Sequence, residues 1–502
     1  MKKYTLLVIL ISGLFSLGFA GVVTQQNAQT VALSFFKIKY PAAGNHTSLS
    51  ATLKYTSAEP GNATAFYVFD IEPANGFVIV AANDIITPVL AYSNEGYFNI
   101  SFHKKAIESW INKTTVNIDR AVQQHISAMP VVTAQWQAYI QGVNPQTEKS
   151  AGVSPLLSTT WDQENESSAP PYLYNLYCPY NNHDQQRCLT GCVATAQAQI
   201  MKFWNYPDTG VGSFSYVDNT SNGYSFNYGT QSSDFSAHTY SWQLMPGILD
   251  GTEHGAQDTA VDVLMYDCAV SVGMDFGDDN QDGSGANGLL EEELQQVGDS
   301  ICSQYALVNY FGYDPDTIRG IFKADFTDNE WIAIIEHEMN MGRPVMYEGD
   351  DATQGGHAWV CDGYDANDKL HMNWGWSGSD NGYFTISNLT TSGNFNPVDS
   401  DDALIGIMPK HIDTVATAVN NISRSVNFNM FPNPANGQVI VQAQSNTPAV
   451  ISLIDVLGQT VIAKEVAAQK SMLDVSGLSA GIYLVRIQQG EQTAVKQLVI
   501  TR

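Results

Sequence analysis

Hydrophobic periodicity changes character twice along these 502 residues, near 150 and near 425, and one continuous core cannot accommodate both changes. At roughly 150 residues per domain, a chain of this length divides into about three folded parts. The first part, to about residue 130, has strand-like runs at Ala65 to Asp70 and Gly76 to Ala82 and a turn-rich stretch at Asn94 to Gly96. Helical spacing follows at Lys104 to Asn112, and again at Val132 to Tyr139, where Val132, Trp136 and Tyr139 recur by four and three. This reads as a small α+β unit. Residues 141–155, QGVNPQTEKSAGVSP, lose periodicity and form an exposed linker open to proteolysis, with a cut expected near Lys149.

The middle part is rich in Trp, Tyr and Gly. From Val193 to Trp204, Val193, Ala196, Ile200 and Phe203 recur at spacings of three and four, an amphipathic helix with Cys192 at its start. His357 to Tyr364 and Leu370 to Trp376 are short apolar and aromatic runs around the turn residues Asp365 to Asp368, which reads as a hairpin. Past residue 425, Gln438 to Gln442, Ala449 to Val456, Gly481 to Gln488 and Thr493 to Ile500 read as strands broken by Asn-Pro and Gly turns, a small β-sandwich. Asp413 to Arg424 links it to the middle part.

The first twenty residues read as a signal peptide. Lys2 and Lys3 precede an apolar run from Leu6 to Phe19, and Gly18 and Ala20 sit at minus three and minus one of a cut after Ala20. No other stretch approaches the roughly 20 apolar residues that span a bilayer, so the mature protein is expected to be exported with no transmembrane segment. Acidic residues outnumber basic ones by 50 to 23, a net charge of -27, and that field repels phosphate backbones. Nucleic acid is therefore not an expected partner. Six cysteines (178, 188, 192, 268, 302 and 361) all lie in the middle part; their spacing fixes no disulfide pairing and forms no zinc motif.

The residues of the middle part permit thiol chemistry. A thiol attacks as thiolate, and backbone N–H groups at a helix start favour that anion, so Cys192 is a candidate nucleophile. A base must then be found among ten histidines. His357 follows Gly355 and Gly356 and enters an apolar strand, which suits presentation at a cleft edge. His371 is its rival, because strand alternation puts it on the face of Asn373. The Asn373 amide is placed to hold an imidazole in one tautomer, with Trp374 and Trp376 shielding the bond from water. The backbone N–H of Cys192 and the Gln163 side chain are candidate oxyanion donors. Asp278 to Gly283 reproduces the first half of a calcium loop, but position twelve is Leu289 rather than Glu, which excludes a complete EF-hand.

The stretches TTWDQ (159–163), TGCVATAQAQIMKFWNYP (190–207), LMYDCAVSVGMDFG (264–277), GRPVMYEG (342–349), GGHAWVCDGYD (355–365) and HMNWGWSG (371–378) resemble the streptopain-like, papain-fold cysteine peptidases of family C10, in the family's order. The resemblance implies an α+β, two-lobed peptidase at 150–412 that uses no metal or cofactor, with Cys192 as nucleophile, His357 as base, Asn373 orienting it and Gln163 as oxyanion donor. It demotes His371. Residues 21–149, through YVFDIEPANGFVIVAANDIITPVLAYSNEGYF (67–98), resemble the family's propeptide, an intramolecular inhibitor that keeps the enzyme a latent zymogen. The part from 425 to 502, with MFPNPANGQ, DVLGQ and LSAGIYLVRI, resembles a type IX secretion sorting domain, which implies recognition by that machinery and a secreted or surface-attached product. The expected activity is endopeptidase cleavage of protein or peptide substrates through a Cys192 thioester. The competing expectation is a catalytically inactive homologue acting as a surface binding or inhibitor protein.

Overall fold

The computed structural model describes residues 21–410 except 42–48, 59–62, 100–104, 146–151, 164–173, 250–254, 279–280, 282, 290–300, 352–354 and 387–400. It further describes residues 428–500 except 432–434, 444–447, 455–459, 467–469, 480 and 490–491. The signal segment, Lys149 and the linker Asp413 to Arg424 lie outside the described residues. The chain divides into two compact units, Met1–His411 and Ile412–Arg502.

The first unit opens with α1 (Gln25–Lys39), which Thr24 caps through its side chain, and a meander of four strands: β1 (Ser50–Ser57), β2 (Phe66–Glu72), β3 (Gly76–Ala81) and β4 (Val89–Ser93). Two helices follow, α2 (Lys105–Gln123) and α3 (Pro130–Ile140). Every residue of β3 and β4 is buried, so these strands carry runs of apolar side chains instead of an alternating pattern.

The region around Cys192 adds the short strands β5 (Tyr180–Asn181) and β6 (Gln186–Arg187), helix α4 (Cys192–Trp204), and the hairpin β7 (Ser213–Asp218) and β8 (Gly229–Asp234). Helices α5 (Ala256–Ser271), α6 (Ser303–Asn309) and α7 (Asp328–Asn340) surround strands β9 (Arg319–Phe322), β10 (Val345–Asp351), β11 (Gly355–Tyr364), β12 (Leu370–Asn373), β13 (Gly382–Phe384) and β14 (Asp401–Ile405). Together with β1–β4 they make one antiparallel sheet of order β1-β2-β3-β4-β13-β12-β11-β10-β14-β9. The segments on either side of residue 150 are thus joined edge to edge, through Tyr383↔Tyr92 and Phe384↔Ala91.

The middle of this sheet is buried on both faces. Trp359 and Cys361 of β11 point into a core shared with α1, α2, α3 and α7, while Ala358 and Val360 point into a second core built on α4, α5 and α6. Amphipathic spacing had suggested an exposed face for α4, yet every residue from Val193 to Met201 is buried, including Gln197 and Gln199. The helix is enclosed because the sheet, α5 and α6 pack around it, and small Ala residues at 194, 196 and 198 let them approach.

The second unit has β15 (Phe428–Phe431), β16 (Gln438–Ala443), β17 (Ala449–Ile454), β18 (Thr460–Val466), β19 (Lys470–Asp474), β20 (Gly481–Gln489) and β21 (Gln492–Ile500). They form two sheets, β15-β16-β19 and β18-β17-β20-β21, that share one core including Val439, Val441, Leu453, Val485 and Leu498. This is the β-sandwich that the strand spacing suggested.

Candidate active site

Helix α4 starts where the chain needs a glycine. Gly191 is its N-cap with φ +93°, and a Cβ there would lie 2.6 Å from Met274 Sδ and Cε. Gly191 therefore serves backbone conformation and close packing. Cys192 follows as the first helical residue, beside the unsatisfied N–H groups of the first turn.

All six thiols are free, and Cys192 alone is partly exposed. Burial pushes the Cys188 thiol up to about 12 and those of Cys178, Cys268 and Cys361 above the usual thiol range. Cys192 Sγ accepts from the backbone N–H of Ala358 at 3.4 Å, so the helix start meets β11 at the residue next to His357.

His357 is 8% exposed. Its Nε2 donates to the carbonyl oxygen of Trp374 at 3.1 Å, since that oxygen can only accept. The ring lies 4.9 Å from that of Trp376 and 6.2 Å from that of Trp359, on the face of β11 that carries the first core. The backbone flanking His357 is thus brought to Cys192, while the ring itself is engaged with the Trp374–Trp376 segment.

Asn373 ends β12 and is 3% exposed. Its Nδ2 donates to Thr159 O at 2.7 Å and to Gln199 Oε1 at 3.3 Å; its Oδ1 accepts from Gly375 N at 3.3 Å and Gln199 Nε2 at 3.4 Å. Those are its partners among the described residues, and His357 is not one of them. Gln163 is partly exposed, and its carbonyl accepts from Thr190 N at 2.9 Å, two residues before Cys192. Asp162 accepts from Gln163 N through Oδ1 and from Ser377 Oγ through Oδ2, so the Gln163 segment is tied to the loop after Trp376.

His371, the rival base, is buried between two carboxylates. Asp362 Oδ1 lies 2.6 Å from its Nδ1 and Glu95 Oε1 3.3 Å from its Nε2. Burial by itself would lower its pKa, but the two carboxylates outweigh that and raise it to about 9. With both nitrogens so held, His371 is a cation at neutral pH and has no free lone pair to act as a base.

Sequence reasoning overlooked Gln199, Thr159 and Asp162. A signal existed for Gln199: it lies seven residues after Cys192, two helical turns on, in a stretch otherwise apolar enough to be core. Among the described residues, no group of three or more acidic, histidine or cysteine side chains could hold a metal ion; Asp279, Asn280 and Asp282 of the acidic loop lie outside them. No described helix is long and apolar enough to cross a membrane.

Residues 167–384 match the model of the peptidase C10 family, residues 20–118 that of the Spi protease inhibitor, and residues 429–501 that of the secretion system C-terminal sorting domain. The chain is 29% identical over 402 residues to the thiol protease/hemagglutinin PrtT of Porphyromonas gingivalis, covering 78% of this chain and 42% of that protein. It is 31% identical over 359 residues to streptopain of Streptococcus pyogenes, covering 68% of this chain and 80% of streptopain. The structure is similar to that of a prointerpain A fragment of Prevotella intermedia, with TM-score 0.54 and 28% identity over 72% of this chain and all of that one. The neighbour is a proenzyme, which accords with an inhibitory N-terminal region sharing the sheet. From the order of these matches, and from the papain-like α+β architecture that goes with them, the chain belongs to the peptidase C10 family of streptopain-like cysteine peptidases.

Proposed function

We propose that this chain is an exported cysteine endopeptidase made as a latent zymogen, with Cys192 as the nucleophile and His357 as its general base and acid. The observation that carries the assignment is Cys192 itself: one partly exposed thiol among six, at the head of a buried helix, with Sγ on the backbone beside His357. Cys192 thiolate attacks the scissile carbonyl carbon, the imidazolium of His357 gives its proton to the leaving amine, and a thioester forms. Water, deprotonated by the same imidazole, then hydrolyses the thioester and releases the acid and the thiol. The Cys192 N–H and the Gln163 side chain are the proposed donors to the oxyanion, and Asn373 the partner that holds the imidazole.

For Asn373 to hold the ring, His357 Nε2 must exchange Trp374 O for Asn373 Oδ1, and Nδ1 is the nitrogen left to serve Cys192. The sheet shared by β4 and β13 supports a latent state held by residues 21–149. Protein and peptide segments are the proposed substrates, and the type IX secretion machinery the proposed reader of the β-sandwich tail.

The test is incubation of the full chain with a thiol reductant and a denatured protein. The unmodified chain should lose its first 145–155 residues and degrade the substrate, while Cys192→Ala stays full length and inert. Equal processing and proteolysis by Cys192→Ala would overturn the mechanism.

A further inference from the structure

We propose that Gln199 is a positioning residue for the peptidase reaction: it fixes which way the Asn373 amide faces, and through Asn373 the tautomer and plane of the His357 ring. The proposal rests on the reading of Asn373 as the partner of His357.

Gln199 is 0% exposed in the middle of α4, and burying an amide is unfavourable unless its hydrogen bonds are made. Both ends of this side chain are satisfied. Oε1 accepts from Trp161 N at 3.1 Å and from Asn373 Nδ2 at 3.3 Å, and Nε2 donates to Asn373 Oδ1 at 3.4 Å. The other buried glutamine of the helix, Gln197, makes a contrast: its Nε2 donates to Ser271 Oγ at 3.3 Å, but its Oε1 has no hydrogen-bond partner among the described residues. Burial in α4 alone does not impose the pairing seen at Gln199.

The orientation of the two amides is dictated from outside. A backbone N–H can only donate, so Trp161 N requires Oε1, not Nε2, at its end of Gln199. Gln199 Oε1 then requires Nδ2 of Asn373, and so does the carbonyl oxygen of Thr159 on the other side. Oδ1 is left as the atom that meets donors, in this structure Gly375 N at 3.3 Å and Gln199 Nε2 at 3.4 Å, and an imidazole N–H has to join them there. An imidazole N–H needs that oxygen; a flipped amide would offer it NH₂ and leave two donors facing each other. Gln199 also joins three pieces of the site, because it sits two turns from Cys192 on α4, bonds the strand end that carries Asn373, and bonds the Trp161 segment that leads to Gln163.

Two variants test this, with Gln197→Leu as the control for disturbing a buried glutamine of the same helix. Gln199→Leu removes the amide pair. Gln199→Glu keeps acceptors for Trp161 N and Asn373 Nδ2 but adds a negative charge and removes the donor to Oδ1. Each full-length variant is matured with tagged unmodified enzyme, which is then withdrawn, and kcat, KM and the pH profile of kcat/KM are measured on a peptide substrate beside thermal midpoints. The expected result for Gln199→Leu is a roughly 10- to 100-fold loss in kcat with KM within about twofold, and an alkaline limb moved to lower pH as the imidazolium loses its held partner. Gln199→Glu should move the same limb to higher pH and retain more kcat than Leu. Gln197→Leu should leave the limb where it is. If Gln199→Leu does not fold, the direction of the Glu shift decides alone. An unmoved limb in the folded Gln199 variants overturns the role of Gln199. Asn373→Ala, made alongside, tests the underlying reading separately: if its limb is also unmoved, Asn373 does not hold the imidazole and that reading falls instead.

Discussion

The rings of Tyr92 and Tyr383 stack with centroids 5.1 Å apart across the β4–β13 pairing, where the N-terminal meander joins the peptidase sheet. Two residue pairs join the strands edge to edge beside a core shared with α1, α2 and α3, and a polar cluster lies at the end of that pairing. Tyr92 OH donates to Asp365 Oδ2 at 2.7 Å, and Lys39 lies 3.5 Å from that oxygen and over both tyrosine rings. Tyr92→Phe removes one hydrogen bond to a buried carboxylate while keeping the stack, a loss of about 1–3 kcal/mol. We expect faster loss of the N-terminal region than in the unmodified chain, read as band conversion over time. An unchanged rate would show that the junction does not limit maturation.

The Glu95–His371 contact crosses the same junction and depends on pH. His371, facing Asp362, Glu95 and the ring of Tyr383, has its pKa raised from 6.5 to about 9. Its contribution to holding the N-terminal region is complete below 6.5 and disappears as pH rises through about 9. Glu95 is shifted the other way: its hydrogen bond with His371 holds its carboxyl below the usual 4.5 despite burial, so its contribution is present above 4.5 and lost as pH falls through the lowered value. The pair therefore acts together between about 4.5 and 6.5 and fades on the alkaline side. In a Cys192→Ala background, Glu95→Gln should lower the thermal midpoint most in that window and little above pH 9. A constant difference across the range would remove the charge from the explanation.

Which features could be read from the sequence follows from where each signal is local. Helix α4, the hairpin of β11 and β12, and most tail strands announce themselves by spacing within a dozen residues. The pairing of β4 with β13 joins residues nearly three hundred positions apart, and no local pattern encodes it. Helix α1 went unread too, because its buried Ala28, Val31, Ala32, Phe35 and Phe36 are diluted by polar neighbours. At the site, spacing alone left His357 and His371 unresolved, since both enter apolar strands. Their difference is made by carboxylates that folding brings to His371, first Asp362 from the same hairpin and then Glu95 from the N-terminal meander.

Thiol accessibility gives a separate test of the site. Five cysteines are buried and Cys192 is partly exposed, so alkylation of the native chain should modify Cys192 first, at about one group per chain. All six should react once the chain is unfolded, because none is in a disulfide. Mass mapping of the label reads both numbers, and native labelling at Cys188 or Cys268 ahead of Cys192 would contradict the burial on which the assignment rests.

Gly191 offers a way to separate strain from clash at the nucleophile. At φ +93° and ψ 143°, an L side chain is disfavoured, by about 1–3 kcal/mol, and its Cβ would also press on Met274. Gly191→Ala should lower stability and displace Cys192 from Ala358 N, reducing activity more than folding. Adding Met274→Ala clears the contact without restoring the backbone, and because Met274 is itself fully buried it should lower stability further, by about 2–5 kcal/mol. Full recovery of activity in the double variant would mean that space, not conformation, requires the glycine.

The tail has its own core, and that sets what its removal can do. Phe428, Val439, Leu453, Val485 and Leu498 pack among themselves within the Ile412–Arg502 unit, and the core residues around Cys192 lie before 411. A chain ended after His411 should therefore keep the thermal midpoint of its first unit and its rate of labelling at Cys192. What it should lose is export, because the part matching the secretion system C-terminal sorting domain is gone. Expression of both lengths in a bacterium that has a type IX system, followed by assay of medium and cell fractions, reads the two effects separately. Export of the shortened chain at the full rate would deny the tail a sorting role, whereas a fall in labelling rate at Cys192 would show that the two units do not fold independently.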